Sequence, residues 1–455
     1  MAQLISINPA TEEVLAKFDY LSEQKAIEET KKSRAAFVGW GSLVVSERCT
    51  YLKKAATVLI KNKTRYAKLI TLEMGKPIRQ SVAEVEKCAL VCEYYAENAQ
   101  KFLQDQNVPT QARKSYVSFE PLGVILGIMP WNYPFWQVFR FAAATLAAGN
   151  TILVKHSSNV PQCAIAIEEV FKEAGFPDYV YRNLLLSSDT VKSLIAKDLI
   201  DGISLTGSTE AGSKVGELAG KNLKKVVLEL GGSDPFIVLD DGDLKKAAEV
   251  AVTARFQNTG QTCAAAKRFI IHESVSKEFI ELFVNGIRAL KIGDPFDPNN
   301  YIGPLARKDL RDSIEKQLSD AVSKGGKILI GGKKVKAKGY FFEPTAIQVS
   351  KNSPLATTEE TFGPVASIII VKDDKDAIEI ANSSPYGLGS VVWTNDQKRA
   401  DQFIQKLKCG IVVVNGMVKS DPRIPFGGIK KSGLGRELGS FGILEFANVK
   451  SVMEW

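Results

Sequence analysis

The chain has 455 residues, of which 45% are hydrophobic and 24% charged, with a formal net charge of +8. That length exceeds what one core organises, so two or three domains are expected, and the absence of long polar tracts argues against disorder. The positive charge is spread thinly, with short runs only at Lys221–Lys225 and Lys333–Lys338; this argues against nucleic-acid binding and suits small anionic ligands such as dinucleotides or carboxylates.

Taken in chain order, residues 1 to about 105 read mainly as helices, with apolar spacing of three and four over 46–61, 64–74 and 82–103. The second of these ends at the helix stop Gly75-Lys76-Pro77. Residues 115–120 alternate as a strand. From 122 the pattern becomes α/β: strands at 122–128, 151–155, 182–186, 200–205, 226–230 and 235–239, with helices at 139–148, 161–174 and 207–219 between them. A second series follows, with helices at 243–256, 276–290 and 375–382 and strands at 268–272, 365–371 and 410–415. Such alternation predicts βαβ units and mostly parallel sheets. A closing strand at 449–455 and the early one near 115 stand apart from both series and are expected to form a projecting sheet used for assembly. No apolar run is long enough to span a membrane, and the first nine residues lack a signal-peptide pattern.

Six cysteines (Cys49, Cys88, Cys92, Cys163, Cys263 and Cys409) have neither metal-ligand spacing nor a disulfide framework, so no metal and a reducing, cytoplasmic compartment are expected. Only two histidines exist, His156 and His272, which pushes any general base toward Glu or Asp. Neither Gly-x-Gly-x-x-Gly after a strand nor a P-loop is present. At a strand-to-helix turn, Gly207 would let backbone approach a phosphate and Ser208 would offer a hydroxyl, or the pair is an ordinary helix start. Cys263 lies in Gly260-Gln261-Thr262-Cys263 before three alanines, where it is either a buried structural thiol or a nucleophile flanked by loop amides. Glu229, in Leu228-Glu229-Leu230-Gly231-Gly232, is either a buried carboxylate with a raised pKa, suited to general base work, or one facing water. Asn132, in Pro130-Trp131-Asn132-Tyr133-Pro134, is either a rigidly held amide donor for an oxyanion or a turn former.

With Glu360-Thr361-Phe362-Gly363-Pro364, Ser384-Pro385-Tyr386-Gly387-Leu388 and Pro425-Phe426-Gly427-Gly428, these segments closely resemble the aldehyde dehydrogenase superfamily, in its order and spacing and over essentially the whole chain. The resemblance implies an α/β fold: a doubly wound Rossmann-like cofactor domain (1–105 and 121–231), a second α/β catalytic domain (232–431) and a small β oligomerisation element (106–120 and 440–455). It implies that Cys263 attacks an aldehyde, that Asn132 and the Cys263 amide hold the oxyanion, and that Glu229 activates the water that hydrolyses a thioester. It assigns Trp131, Lys155, Ser158, Gly207, Ser208, Glu360 and Phe362 to an NAD(P) site. Ser158, where NAD-specific members often carry Glu, favours NADP with NAD also open. A surface role for Lys155 and Ser158 is the alternative.

Within the superfamily, the segments around Arg140, His156 and Cys263 look most like the succinate-semialdehyde dehydrogenase branch, in which Arg140 and Ser420 would hold the substrate's distal carboxylate. Arg140 solvated or paired with a helix neighbour is the alternative. The resemblance also implies a homodimer or homotetramer, with no nucleic acid or membrane partner. The competing functions are a general or lactaldehyde dehydrogenase, a cysteine-dependent esterase or hydrolase, and a non-catalytic scaffold. Ala264 and Ala265 leave no second cysteine beside Cys263 for a local disulfide switch.

Overall fold

The computed structural model describes residues 3–455. Six strands form one sheet in the order Gly433–Leu434, Lys225–Glu229, Gly202–Thr206, Val124–Met129, Thr151–His156, Tyr181–Asn183. All run parallel except Gly433–Leu434. The chain enters at Val124–Met129, builds outward to Tyr181–Asn183, then returns to the other side through Gly202–Thr206. The sheet therefore has a topological switch point beside its first strand, where open α/β sheets bind ligands at the strands' carboxyl ends.

Alternation along the strands buries both faces. Ile125, Met129, Ile152 and Val154 join a cluster with the helices Val45–Lys61, Ile78–Phe102, Trp136–Ala147 and Pro161–Glu173. Val124, Leu126, Leu153 and Ile203 pack on the opposite face against Ala26, Leu194 and Ala219, which come from Glu23–Ser42, Ser188–Ala196 and Thr209–Lys221.

A second sheet of seven strands has the order Lys327–Ile330, Thr345–Gln348, Val365–Val371, Ala266–His272, Asp234–Val238, Gly389–Trp393, Ile411–Val414. It is parallel except for its first, edge strand. Ile237, Ile270, Ile347, Ile369 and Val392 fill one face, and Phe236, Phe269, Ala346, Ile368 and Val391 the other. Only the link Leu230–Ser233 joins the last βαβ strand of the first sheet to the first strand of the second. The carboxyl ends of one sheet thus meet the amino ends of the other across a cleft.

Strand Ala447–Glu454 pairs antiparallel with Lys114–Pro121 along its whole length, and Gln106–Asn107 adds a third strand. The expected pairing of the early and closing segments is therefore present. The hairpin Gln3–Ile7 with Val14–Asp19 is an addition to the helical reading of the first hundred residues. The helices Ser188–Ala196, Lys308–Ser323 and Gln397–Lys406 are further additions to the reading from sequence; the last two bury few side chains each (Ile314, Leu318 and Ala321; Ala400 and Phe403). No helix among the described residues is long and apolar enough to cross a membrane.

Candidate active site

Three strand ends of the first sheet, Met129, Thr206 and Glu229, lead into the segments that line the cleft. After Met129 the loop carries Trp131 and Asn132 and enters helix Trp136–Ala147. The amino end of that helix is held by Glu84, whose Oε1 accepts from the Phe135 and Trp136 amides at 2.9 and 3.0 Å. A carboxylate suits a helix amino end. Glu84 also forms a fully buried ion pair with Lys76, whose ammonium lies 3.5 Å from the Tyr133 ring centroid.

The Cys263 loop has an uncommon backbone. Asn258, Thr259 and Gly260 have φ of 56°, 55° and 72°, a left-handed turn that costs a β-branched residue on the order of 1–3 kcal/mol. Hydrogen bonds from three segments hold it. Gln80 Oε1 accepts from the Asn258 amide at 2.7 Å, and Asn258 Nδ2 donates to the backbone carbonyl of Asn132 at 2.9 Å. Thr259 Oγ1 accepts from the Gly303 amide at 3.1 Å, and Gln261 Oε1 from the Ala306 amide at 2.9 Å. Asn132 Nδ2 donates to the Gln261 carbonyl at 3.1 Å, which leaves its second N–H free. The Cys263 amide donates to no protein acceptor among the described residues. Two N–H donors thus remain without an acceptor, one on Cys263 itself and one on a side chain bonded to the carbonyl two residues before it.

Burial pushes the Cys263 thiol up to about 11, while Arg140 and Lys267 pull it down and Glu229 pushes it further up. Lys267 donates to the Cys263 and Gly232 carbonyls, at 2.6 Å each, and pairs with Glu360 at 2.9 Å. Glycine at 232 permits this approach, since a Cβ there would stand 2.7 Å from the Cys263 carbonyl oxygen. Glu360 accepts from the Gly232 amide at 3.1 Å, and Phe362 packs edge-on to Trp131 with centroids 5.7 Å apart.

Glu229 is buried, and neither carboxylate oxygen has a hydrogen-bond partner. Desolvation raises its pKa well above the usual carboxylate range, against the pull of Arg140, whose Nη2 lies 4.0 Å away. The alternative of Glu229 facing water is thereby removed. Arg140 is neither solvated nor paired within its helix: its Nε pairs with buried Glu437, its Nη2 donates to Thr206 Oγ1 at 3.3 Å, and it covers the Phe426 ring. Cys263, Arg140 and Ser420 line one cavity of about 600 Å³, together with Lys87, Trp136 and Phe426. Neither histidine lines it. His156 donates from Nε2 to the Pro134 carbonyl and accepts at Nδ1 from the Ser157 amide, and burial lowers its pKa to about 4; His272 bonds Ser274 at a strand end.

Around the switch point, Lys155 makes no hydrogen bond or ion pair among the described residues, and burial depresses its pKa. Ser158 is exposed and shares a cavity of about 400 Å³ with Arg307 and Lys308. Ser208 caps helix Thr209–Lys221 through the Ala211 amide at 3.2 Å, with Gly207 just before it. A lysine without a protein partner, an exposed hydroxyl in one cavity with Lys308 and with Arg307, itself paired with Asp309, and a helix amino end fit a phosphorylated dinucleotide.

Sequence reasoning missed Lys87, Glu437, Lys267, Lys76, Glu84 and the buried Arg255. Each is a charged residue in an amphipathic or mixed segment, and Lys87, Glu437, Lys267 and Arg255 carry no local signal. For Lys76 and Glu84 a hint existed in the lysine of the helix stop at 75–77.

These features belong to a recognisable class. The aldehyde dehydrogenase family model matches residues 2–452, and the chain belongs to that family. It is 47% identical to the probable NADP(+) succinate-semialdehyde dehydrogenase of a Synechocystis strain, covering 99% of each chain. It is 44% identical to the NAD(P)+ succinate semialdehyde dehydrogenase Sad of Escherichia coli, covering 98% of this chain and 97% of the relative. The structure superposes with a TM-score of 0.96 on the succinic semialdehyde dehydrogenase of Streptococcus pyogenes solved in complex with NADP+, at 36% identity over 99% of both chains.

Proposed function

We propose that the chain oxidises succinate semialdehyde to succinate with NADP, NAD serving as a second cofactor. The observation that carries this reading is the single cavity that brings the Cys263 thiol together with Arg140 and Ser420. Trp131, Lys155, Ser158, Gly207, Ser208, Glu360 and Phe362 would hold the dinucleotide, whose nicotinamide supplies the acceptor for a hydride. Serine rather than a carboxylate at 158, beside Arg307 and Lys308, accommodates a 2′-phosphate.

The thiol is protonated at neutrality, so attack requires loss of its proton, for which the Glu229 carboxylate is the available base. Sulfur bonds the carbonyl carbon, and the free Asn132 N–H and the Cys263 amide stabilise the oxyanion. Departure of hydride leaves a thioester on Cys263. After Glu229 returns its proton to solvent, it takes one from water; the hydroxyl adds to the acyl carbon and the thiol is released with succinate. The distal carboxylate lies toward Arg140 and Ser420, a charge-assisted contact that discriminates against uncharged aldehydes.

The deciding assay compares succinate semialdehyde with propionaldehyde, each with NADP and NAD, by the absorbance of reduced nicotinamide. A higher kcat/KM for succinate semialdehyde with NADP is expected; equal or better use of propionaldehyde would overturn the substrate reading. The chain is further read as a cytoplasmic homodimer or homotetramer, supported by six free cysteines and by the unpaired edge of strand Ala447–Glu454.

A further inference from the structure

We infer that Lys267 is a positioning residue that ties the nucleophile to the cofactor carboxylate and so sets the distance over which hydride passes from the carbon on Cys263 to the nicotinamide. The inference rests on the proposed place of Glu360 at the cofactor and goes beyond it by naming the group that aims that carboxylate.

Lys267 lies in the strand Ala266–His272, and its side chain is 1% exposed. An ammonium carries three N–H groups, and here they are spent on three separate segments. They reach the Gly232 and Cys263 carbonyls at 2.6 Å each and Glu360 Oε1 at 2.9 Å. No N–H is left over for a ligand. Glu360 Oε1 also accepts from the Gly232 amide at 3.1 Å, whereas Oε2 takes no hydrogen bond among the described residues. Oε2 passes over Gly231, where a Cβ would stand 2.4 Å from it, and the Glu360 side chain remains 17% exposed. One carboxylate oxygen is thus fixed inward, and the other is left for a hydroxyl of the ribose. The ring centroid of Phe362 lies 5.8 Å from the same ammonium.

The backbone of the Glu360 loop is held by other residues. Gln317 Nε2 donates to the Glu360 carbonyl and Ser233 Oγ to the Glu359 carbonyl, each at 3.2 Å, and Arg255 donates to the carbonyls of Thr361 and Gly363. What Lys267 adds is the direction of the carboxylate and its distance from the residue that carries the sulfur. Hydride leaves with the electron pair of its C–H bond as the oxyanion closes to the thioester carbonyl, and such a step slows steeply when the reacting atoms are misplaced by about 1 Å. Acylation of the thiol by an activated ester needs Cys263 but no nicotinamide.

The test compares the wild type, Lys267→Met, Glu360→Gln and the double variant in oxidation of succinate semialdehyde with NADP and in hydrolysis of 4-nitrophenyl acetate without dinucleotide. Both rates scale with the amount of folded enzyme, so their ratio is independent of any loss of stability. In Lys267→Met the ratio of oxidation to ester hydrolysis is expected to fall roughly tenfold to a hundredfold. Aldehyde deuterated at its carbonyl carbon should then show a primary isotope effect on kcat. The double variant should oxidise no more slowly than the slower single variant, because Lys267 acts through Glu360. An unchanged ratio in Lys267→Met, oxidation by it without an isotope effect, or additive losses in the double variant would each overturn the inference and leave the reading of Glu360 standing. Glu360→Gln with the oxidation rate and the calorimetric NADP affinity of the wild type would overturn both.

Discussion

Two side chains around the thiol make separable contributions, and their variants should differ in kind. Glu229→Gln keeps the shape of the buried acid but removes the base. It should lower kcat by roughly 10²–10⁴-fold and trap an acyl group on Cys263, visible in the mass of the quenched protein. A turnover slowed without acyl accumulation would place the limiting loss at the thiol proton, before any thioester forms, and not at hydrolysis. Because desolvation raises Glu229 well above the usual carboxylate range, the base form grows in only at a pH above the one at which an exposed glutamate ionises. The acid limb of kcat should therefore lie well above the pH at which an exposed glutamate titrates, and Glu229→Gln should flatten it. Asn132→Ala removes one oxyanion donor and a single side-chain bond, to Gln261, so kcat is expected to fall roughly 10²–10³-fold with little change in melting temperature.

At the scale of elements, the two loops that meet at the cleft are tied by Arg255. Its guanidinium, buried without a carboxylate partner, donates to the carbonyls of Gly260, Thr361, Gly363 and Val365. One side chain thus joins the turn before Cys263 to the loop of Glu360 and Phe362. Arg255→Met leaves those carbonyls without a donor and is expected to lower stability by at least about 2 kcal/mol, read as a fall in the urea midpoint. Gly260→Ala tests the same junction from the backbone. Its φ of 72° is unfavourable for alanine, and the added Cβ would collide with the Gly363 carbonyl. Both variants should lose activity with stability, and a stable but inactive Arg255→Met would show a direct part in the chemistry.

On the scale of the whole molecule, the three-stranded sheet presents its outermost strand, Ala447–Glu454, with no partner on one side. Val449, Met453 and Trp455 are exposed along one face of the C-terminal segment, Trp455 by 83%. An unpaired edge with an apolar face is a poor solution for a lone chain and a good one for an interface. Replacing Met453 and Trp455 by lysine is expected to shift the sedimentation of the protein toward the monomer. Unchanged sedimentation would overturn this edge as the proposed assembly surface.

Much of the candidate site is visible in the sequence because its residues are locally conspicuous, although their roles came from the ordered motifs that resemble a family and not from any one of them. Asn132, Glu229 and Cys263 each stand out against their own neighbours: an amide between prolines, an acid in an apolar strand, a thiol among small polar residues. The alternation of Ile125, Ile152 and Val154 with Val124, Leu126 and Leu153 likewise announces a sheet buried on both faces before any coordinates exist. What the tertiary structure alone decided is which charges meet. Lys87 and Ser420 touch across 333 positions of sequence, Arg140 finds Glu437 rather than solvent, and Arg255 gathers carbonyls from a loop about a hundred residues away. A motif records the residues that chemistry needs nearby in the chain. The partner that neutralises a buried charge is chosen by where the chain folds back, and no local pattern carries that choice.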